Sequence, residues 1–468
     1  MPPDDTTYTI TVDTLLTGTG GLTFESQFGF RNAAAQTLAL TNSSNTISGT
    51  ITVVSNKDNG NGQTRLLATS DGALGTSGNT IVLTNSGEGK AELHLNYIGS
   101  LTHEVQQNQN VSGFNASGGI FLSDGAAIEI AQDGLLTGSG GRQIYGDGSI
   151  ELTFASSTDT GDYEIERETT LILNNGDQIG SGTVTLLDNG GLRAKSTFTL
   201  TNEVETDRSS GGPNFITVDS GQTLTLTDFG NSGDKRDNRQ FAKQGAGTLN
   251  LDDTNGWDND GGGFVFVEGG TLLANNTSGS ATGQAEVVVQ SGGTLGGAGI
   301  AAPGVGDADR QLLVESGGTI SPGELGSSDT GTLTIDLSRT PEGAEFLSGA
   351  EFTFDLNGVS DHDVLAFIDD TSLADAFTSD VLFNGNLINF NDLTGGSLAN
   401  GSYTLMTFDA DTNYEGTLAI GTGLSSYSGS TLVFNDDSSV VLNLVPEPST
   451  ALLAMLGLLP LLRRRMRS

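Results

Sequence analysis

Cysteine is absent from the 468 residues, which excludes disulfide staples, thiolate metal ligands and a thiol nucleophile. Cationic side chains are scarce: 19 Lys and Arg stand against 57 Asp and Glu, for a formal net charge of −38. That balance keeps a chain soluble and argues against nucleic acid as a partner, because phosphates need a basic face. Histidine occurs three times, as His94, His103 and His362, and none sits at metal-ligand or triad spacing. One Trp and seven Tyr are too few for a long aromatic ladder. Helical periodicity is missing before the C-terminal tail, and a continuous apolar run occurs only there. What abounds is glycine, with 68 residues, together with Ser, Thr and Asn, the composition of a β protein rich in turns.

The densest pattern lies in residues 244–337. It reads GAGTLNL, FVFVEGGTLLANN, AEVVVQSGGTLGGAG, QLLVESGGTISPG and GTLTIDL. Each piece alternates apolar and polar residues, stops at a glycine turn and restarts with Thr-Leu or Thr-Ile, the period of a half-buried strand. Gly292 and Gly317 open equivalent turns 25 positions apart, a spacing that predicts stacked coils. Looser copies begin at Ile81, Ile128, Val184 and Ile216. A longer unit aligns residues 72–93 with 176–194 and 279–297. A β-sandwich with glycine hairpins would also show regular turns, but the recurrence of the longer unit favours coils.

The order of these pieces from about residue 242 resembles the autotransporter-associated β-strand repeat of bacterial surface proteins. The resemblance implies an all-β fold built as a right-handed parallel β-helix, or solenoid. The expected divisions are irregular coils over 1–241, the repeat block over 242–338, a β-sandwich-like or capping module over 339–444, and a sorting tail over 445–468. The third division rests on longer, Phe-rich strands, since an open solenoid end leaves strand edges that something must cover. The membrane barrel that exports classical autotransporters has no counterpart in these strands. The acidic, Pro-containing start, MPPDD, does not read as a signal peptide.

The tail is similar to the PEP-CTERM sorting signal. Pro446, Glu447 and Pro448 form its motif. An apolar segment follows with Ala451, Leu452, Leu453, Leu456, Leu458, Leu459, Leu461 and Leu462, and then the basic residues Arg463, Arg464, Arg465 and Arg467. The resemblance implies recognition by an exosortase, transient inner-membrane insertion of a short C-terminal helix, and transfer of the body to the cell surface or extracellular matrix. Arginines retained on the cytoplasmic side stop transfer, and the Pro motif stays extended and open to a protease. The segment departs from a full span: about twelve helical residues reach ~18 Å, against a hydrocarbon core of ~30 Å.

Two stretches carry chemistry worth weighing. Asp361-His362-Asp363 places two carboxylates on one face of a regular strand, yet it coincides with the strand start of the family pattern, so a structural role is expected. Residues 252–263, DDTNGWDNDGGG, are rich in oxygen ligands, but Trp257 replaces an EF-hand ligand and no Glu closes the loop. No catalytic, metal or cofactor site is therefore expected. The sequence reads as a non-enzymatic surface or matrix protein, with exosortase and extracellular polysaccharide as partners. The alternatives are a glycan- or protein-binding adhesin, a surface-layer component, and a β-helix polysaccharide-cleaving enzyme.

Overall fold

A computed structural model describes residues 8–26, 35–56, 62–85, 89–108, 118–137, 141–206, 212–230, 240–252, 263–276, 278–283, 285–303, 312–323, 330–338, 343–369, 380–435 and 438–445. Within them the chain is all-β. The only helical turns are three short 3-10 segments, Asp71–Leu74, Gly176–Ile179 and Ser425–Tyr427. It divides into two compact units, residues 1–287 with 305–307, and residues 288–304 with 308–468.

In the first unit, strands pair in parallel with strands one coil further along, so each apolar residue is covered by its equivalent in the next coil. One column runs Leu38, Leu66, Leu93, Ile120, Ile144, Ile165 and Leu186 down a nine-stranded sheet. A second runs Ile51, Ile81, Val105 and Leu136 down a five-stranded sheet. A third carries Ile128, Ile150, Leu171, Leu192 and Ile216. All of these side chains are buried, and each coil supplies the apolar surface that its neighbour lacks. Long parallel sheets of this kind are compatible with a β-helix or solenoid.

Coil length is not constant. Register partners stand 28 residues apart at Gln36↔Thr64, 27 at Leu93↔Ile120, 24 at Ile120↔Ile144 and 21 at Ile144↔Ile165. The shortening removes one side of the coil: the five-stranded sheet ends with Leu136–Thr137, and after Ser149–Leu152 the next strand is Tyr163–Glu166 of the nine-stranded sheet.

The second unit begins with the repeat that the glycines mark. Gly292 N–H donates to Gly317 O at 2.9 Å, and Thr294 pairs with Thr319. Coils then lengthen, from 25 residues at Leu295↔Ile320 to 32 at Ile320↔Phe352 and 36 at Phe352↔Ile388. Phenylalanine fills the wider interior: Phe346 stacks on Phe383 with centroids 5.4 Å apart, and Phe367 on Phe408 at 5.3 Å. Of the β-sandwich-like or capping module expected over 339–444, the sandwich-like alternative differs from the strand pairing observed. Ala344–Phe346, Glu351–Gly358, Asp380–Asp392 and Asn413–Ile420 pair in parallel. Antiparallel ladders among the described residues of this unit join Glu351–Gly358 to Asp361–His362, and join Gly401–Phe408, Ser439–Leu444 and Thr431–Asn435. The expected C-terminal helix lies outside the described residues.

Candidate functional site

One corner of the first unit carries a concavity. Where the chain turns into the five-stranded sheet, three successive coils contribute Ser77, then Ser100, Thr102 and Glu104, then Gln132, to a cleft of 660 Å³ with Leu101 and Leu135 at its floor. Coils are held in step by backbone bonds, Gly78 N to Thr102 O at 3.3 Å and Val105 N to Leu135 O at 2.6 Å. The polar side chains are oriented by one another. Ser100 donates to Glu129 Oε2 at 2.9 Å, and Thr102 donates to Asp71 Oδ2 at 2.7 Å. Glu104 accepts from Thr80 at 3.2 Å, and from Gln106 and Thr137 at 2.9 Å each. Behind the wall His103 is fully buried, with Nδ1 3.4 Å from Asp71 Oδ1. Burial lowers the pKa of its imidazole.

A second cluster lies in the nine-stranded sheet. Arg65 Nε and His94 Nε2 each approach Glu92 Oε2 at 2.9 Å. His94 stacks on Phe121 at 4.4 Å, and Phe121 meets Tyr145 edge-on at 5.5 Å. Burial raises the Glu92 carboxyl, but the His94, Tyr145 and Arg65 interactions outweigh it and hold the group below its ordinary range. Burial keeps His94 low and Tyr145 high. The neutral histidine and carboxylate are thus matched as a hydrogen-bonded pair, with Arg65 supplying the compensating charge. This arrangement ties the outer side of four coils together. Two of the three histidines, dismissed on spacing, therefore have carboxylate partners. Arg65, Glu92 and Tyr145 went unrecognised because their proximity depends on coil register, to which linear spacing is blind.

Asp361, His362 and Asp363 are brought near one another but not onto one face. Asp361 is exposed and accepts from Thr330 and Asn357. Asp363 is fully buried and accepts Gly331 N–H at 2.9 Å and Asp355 N–H at 2.8 Å. The strand breaks after His362, so alternation fails there. Burial pushes the Asp363 carboxyl up to about 7. His362 contacts the backbone oxygens of Gly358 and Thr404, at 3.3 and 3.0 Å. These bonds fasten a hairpin.

Among the described residues no group of three or more His, Asp and Glu is placed to hold a metal ion, and no helix is long and apolar enough to cross a membrane. Most of the oxygen-rich stretch 252–263 lies outside the described residues. So do Pro446, Glu447, Pro448, the apolar segment 451–462 and Arg463, Arg464, Arg465 and Arg467. No protein-family model matches the chain, and no curated protein is significantly similar to it.

Proposed function

We propose that this protein is an exported structural component of the cell surface or extracellular matrix, delivered by exosortase processing of its C-terminal tail and built on a right-handed parallel β-helix. It is a scaffold and not an enzyme. The observation that carries the reading is the contiguous order Pro446-Glu447-Pro448, apolar segment, Arg463-Arg464-Arg465. The fold is in keeping with it: the last described strand, Ser439–Leu444, hands over to Val445, which is 49% exposed, so the motif follows a surface position. Stacked coils whose stability comes from neighbour contacts suit an elongating scaffold, and the surplus of carboxylates suits a hydrated matrix.

The test is the intact mass of protein recovered from the extracellular fraction of its host, compared with a strain lacking the exosortase. The expected result is a C-terminus near Pro446–Pro448 outside wild-type cells and full-length chain in the membranes of the mutant. Secreted protein that still carries Arg467 would sink the sorting reading.

A further inference from the structure

We propose that the cleft between Ser77 and Leu135 binds a short stretch of an uncharged, polyhydroxylated glycan. The inference adds a ligand class to the matrix reading and shares with it only the source of that ligand.

The hydrogen-bond inventory of the walls selects the ligand. Ser100 and Thr102 spend their hydroxyl protons on Glu129 and Asp71. Glu104 is an acceptor held in place by three donors. What these groups offer a ligand is therefore lone pairs, and the side-chain donors left on the walls are the exposed Gln132 amide and the exposed Ser77 hydroxyl. An acceptor-rich wall calls for a ligand rich in donors. Glycan hydroxyls supply donors and can accept from Gln132 as well. Anionic sugars are disfavoured, because Glu104, Asp71 and Glu129 surround the cleft with no Lys or Arg among its lining residues.

Shape points the same way. Leu101 and Leu135 are buried beneath the cleft, so recognition rests on its polar walls, which suit the equatorial hydroxyls of a pyranose ring. Three coils contribute, and parallel strands stand about 4.8 Å apart, close to the advance of one extended hexose unit. A linear glycan lying across the coils would present one sugar to each, so the cleft fits two to three units (about 10 Å of coil rise at that spacing).

Isothermal titration of the full-length chain would test this with neutral tetrasaccharides of three linkages: cellotetraose, maltotetraose and laminaritetraose. Tetragalacturonate and tetralysine serve as the anionic and cationic comparisons. At least one neutral tetramer is expected to bind, at least tenfold tighter than either charged probe. Gln132→Ala should weaken it about fivefold, and Ser77→Trp, at an exposed rim position, should abolish it. Both variants should retain the parent melting temperature. The proposal falls if no neutral tetramer binds, if tetralysine or tetragalacturonate binds as tightly, or if neither substitution changes the affinity. Each of those outcomes leaves the C-terminal processing test untouched, so the two readings fail separately.

Discussion

Asp363 shows how one buried carboxylate couples stability to pH. It accepts two backbone N–H bonds that favour the ionised form, yet full burial beside Asp355 and Asp361 outweighs them and lifts its pKa to about 7. The folded state therefore binds a proton more tightly than the unfolded chain, whose group titrates near 3.8. Stability from this residue is full below the unfolded value and is lost as pH rises through the folded one. At about 1.4 kcal/mol per pKa unit, the second unit should lose on the order of 2–4 kcal/mol between pH 4 and pH 8. Asp363→Asn should flatten that slope in urea melts followed across the range. An unchanged slope would mean that Asp363 does not carry the titration. The sequence pointed to this trio but not to its geometry, because alternation assumes an unbroken strand and the strand ends at His362.

At the scale of the element, the unit is a corner where one coil hands over to the next. Lys243 occupies an apolar column between Ile216 and Val267, with its side chain fully buried. Its Nζ donates to the oxygens of Gln244 at 2.8 Å and of Gly245 and Gly269 at 2.9 Å each. Gly245 turns with φ +74°, where a Cβ would lie 2.4 Å from Val218 O, so glycine is required for the carbonyl to face the lysine. Burial pulls the Lys243 pKa down to about 8, which leaves the ammonium charged at pH 7 and solvated by carbonyls from two coils. Lys243→Met would keep the volume and orphan three acceptors. The expected loss is about 2–4 kcal/mol in denaturant unfolding, and a variant as stable as the parent would refute the stitching role.

Such corners also explain what was legible. The turn glycines Gly292 and Gly317 predicted a coil, and they bond to each other. Strands starting at Ile81, Ile128, Val184 and Ile216 were legible too, but they fall in three different sheets. Coil lengths that run from 41 residues at Leu365↔Met406 down to 20 at Val184↔Val204 break the link between sequence spacing and stacking. The cleft depends on that stacking, and so do the contacts that Arg65, Phe121 and Tyr145 add to the Glu92–His94 pair, whose own two-residue spacing along Lys90–Leu95 is local. The Phe-rich texture after residue 339 was legible as a change, but its cause is a wider coil for which phenylalanine supplies the volume.

For the whole molecule, the dominant unbalanced force is self-repulsion. The formal charge is −38, and parallel stacking brings like charges into columns. Glu164 and Glu205 each sit across from Thr185 in the nine-stranded sheet. Burial, then Glu166 and Asp162, push Glu164 up to about 7, while burial and then Glu205 and Asp228 raise Glu203. These raised values have the same sign as that of Asp363: folding takes up protons, so stability gains as pH falls until the carboxylates are protonated in both states, and is lost as pH rises until they are deprotonated in both. Salt should act in parallel. With a Debye length of about 10 Å at 0.1 M and 30 Å at 0.01 M, low ionic strength lets charges repel across several coils, since stacked strands are only about 4.8 Å apart. Screening relieves that repulsion in the folded state more than in the expanded chain. Calorimetry at pH 8 should therefore show the melting temperature rising as NaCl goes from about 0.01 to 0.1 M, with a smaller rise at pH 5, where Glu164 and Asp363 are neutral. A melting temperature that fell with salt would mean that specific ion pairs such as Arg65–Glu92 and Lys195–Glu151 outweigh the net charge in setting stability.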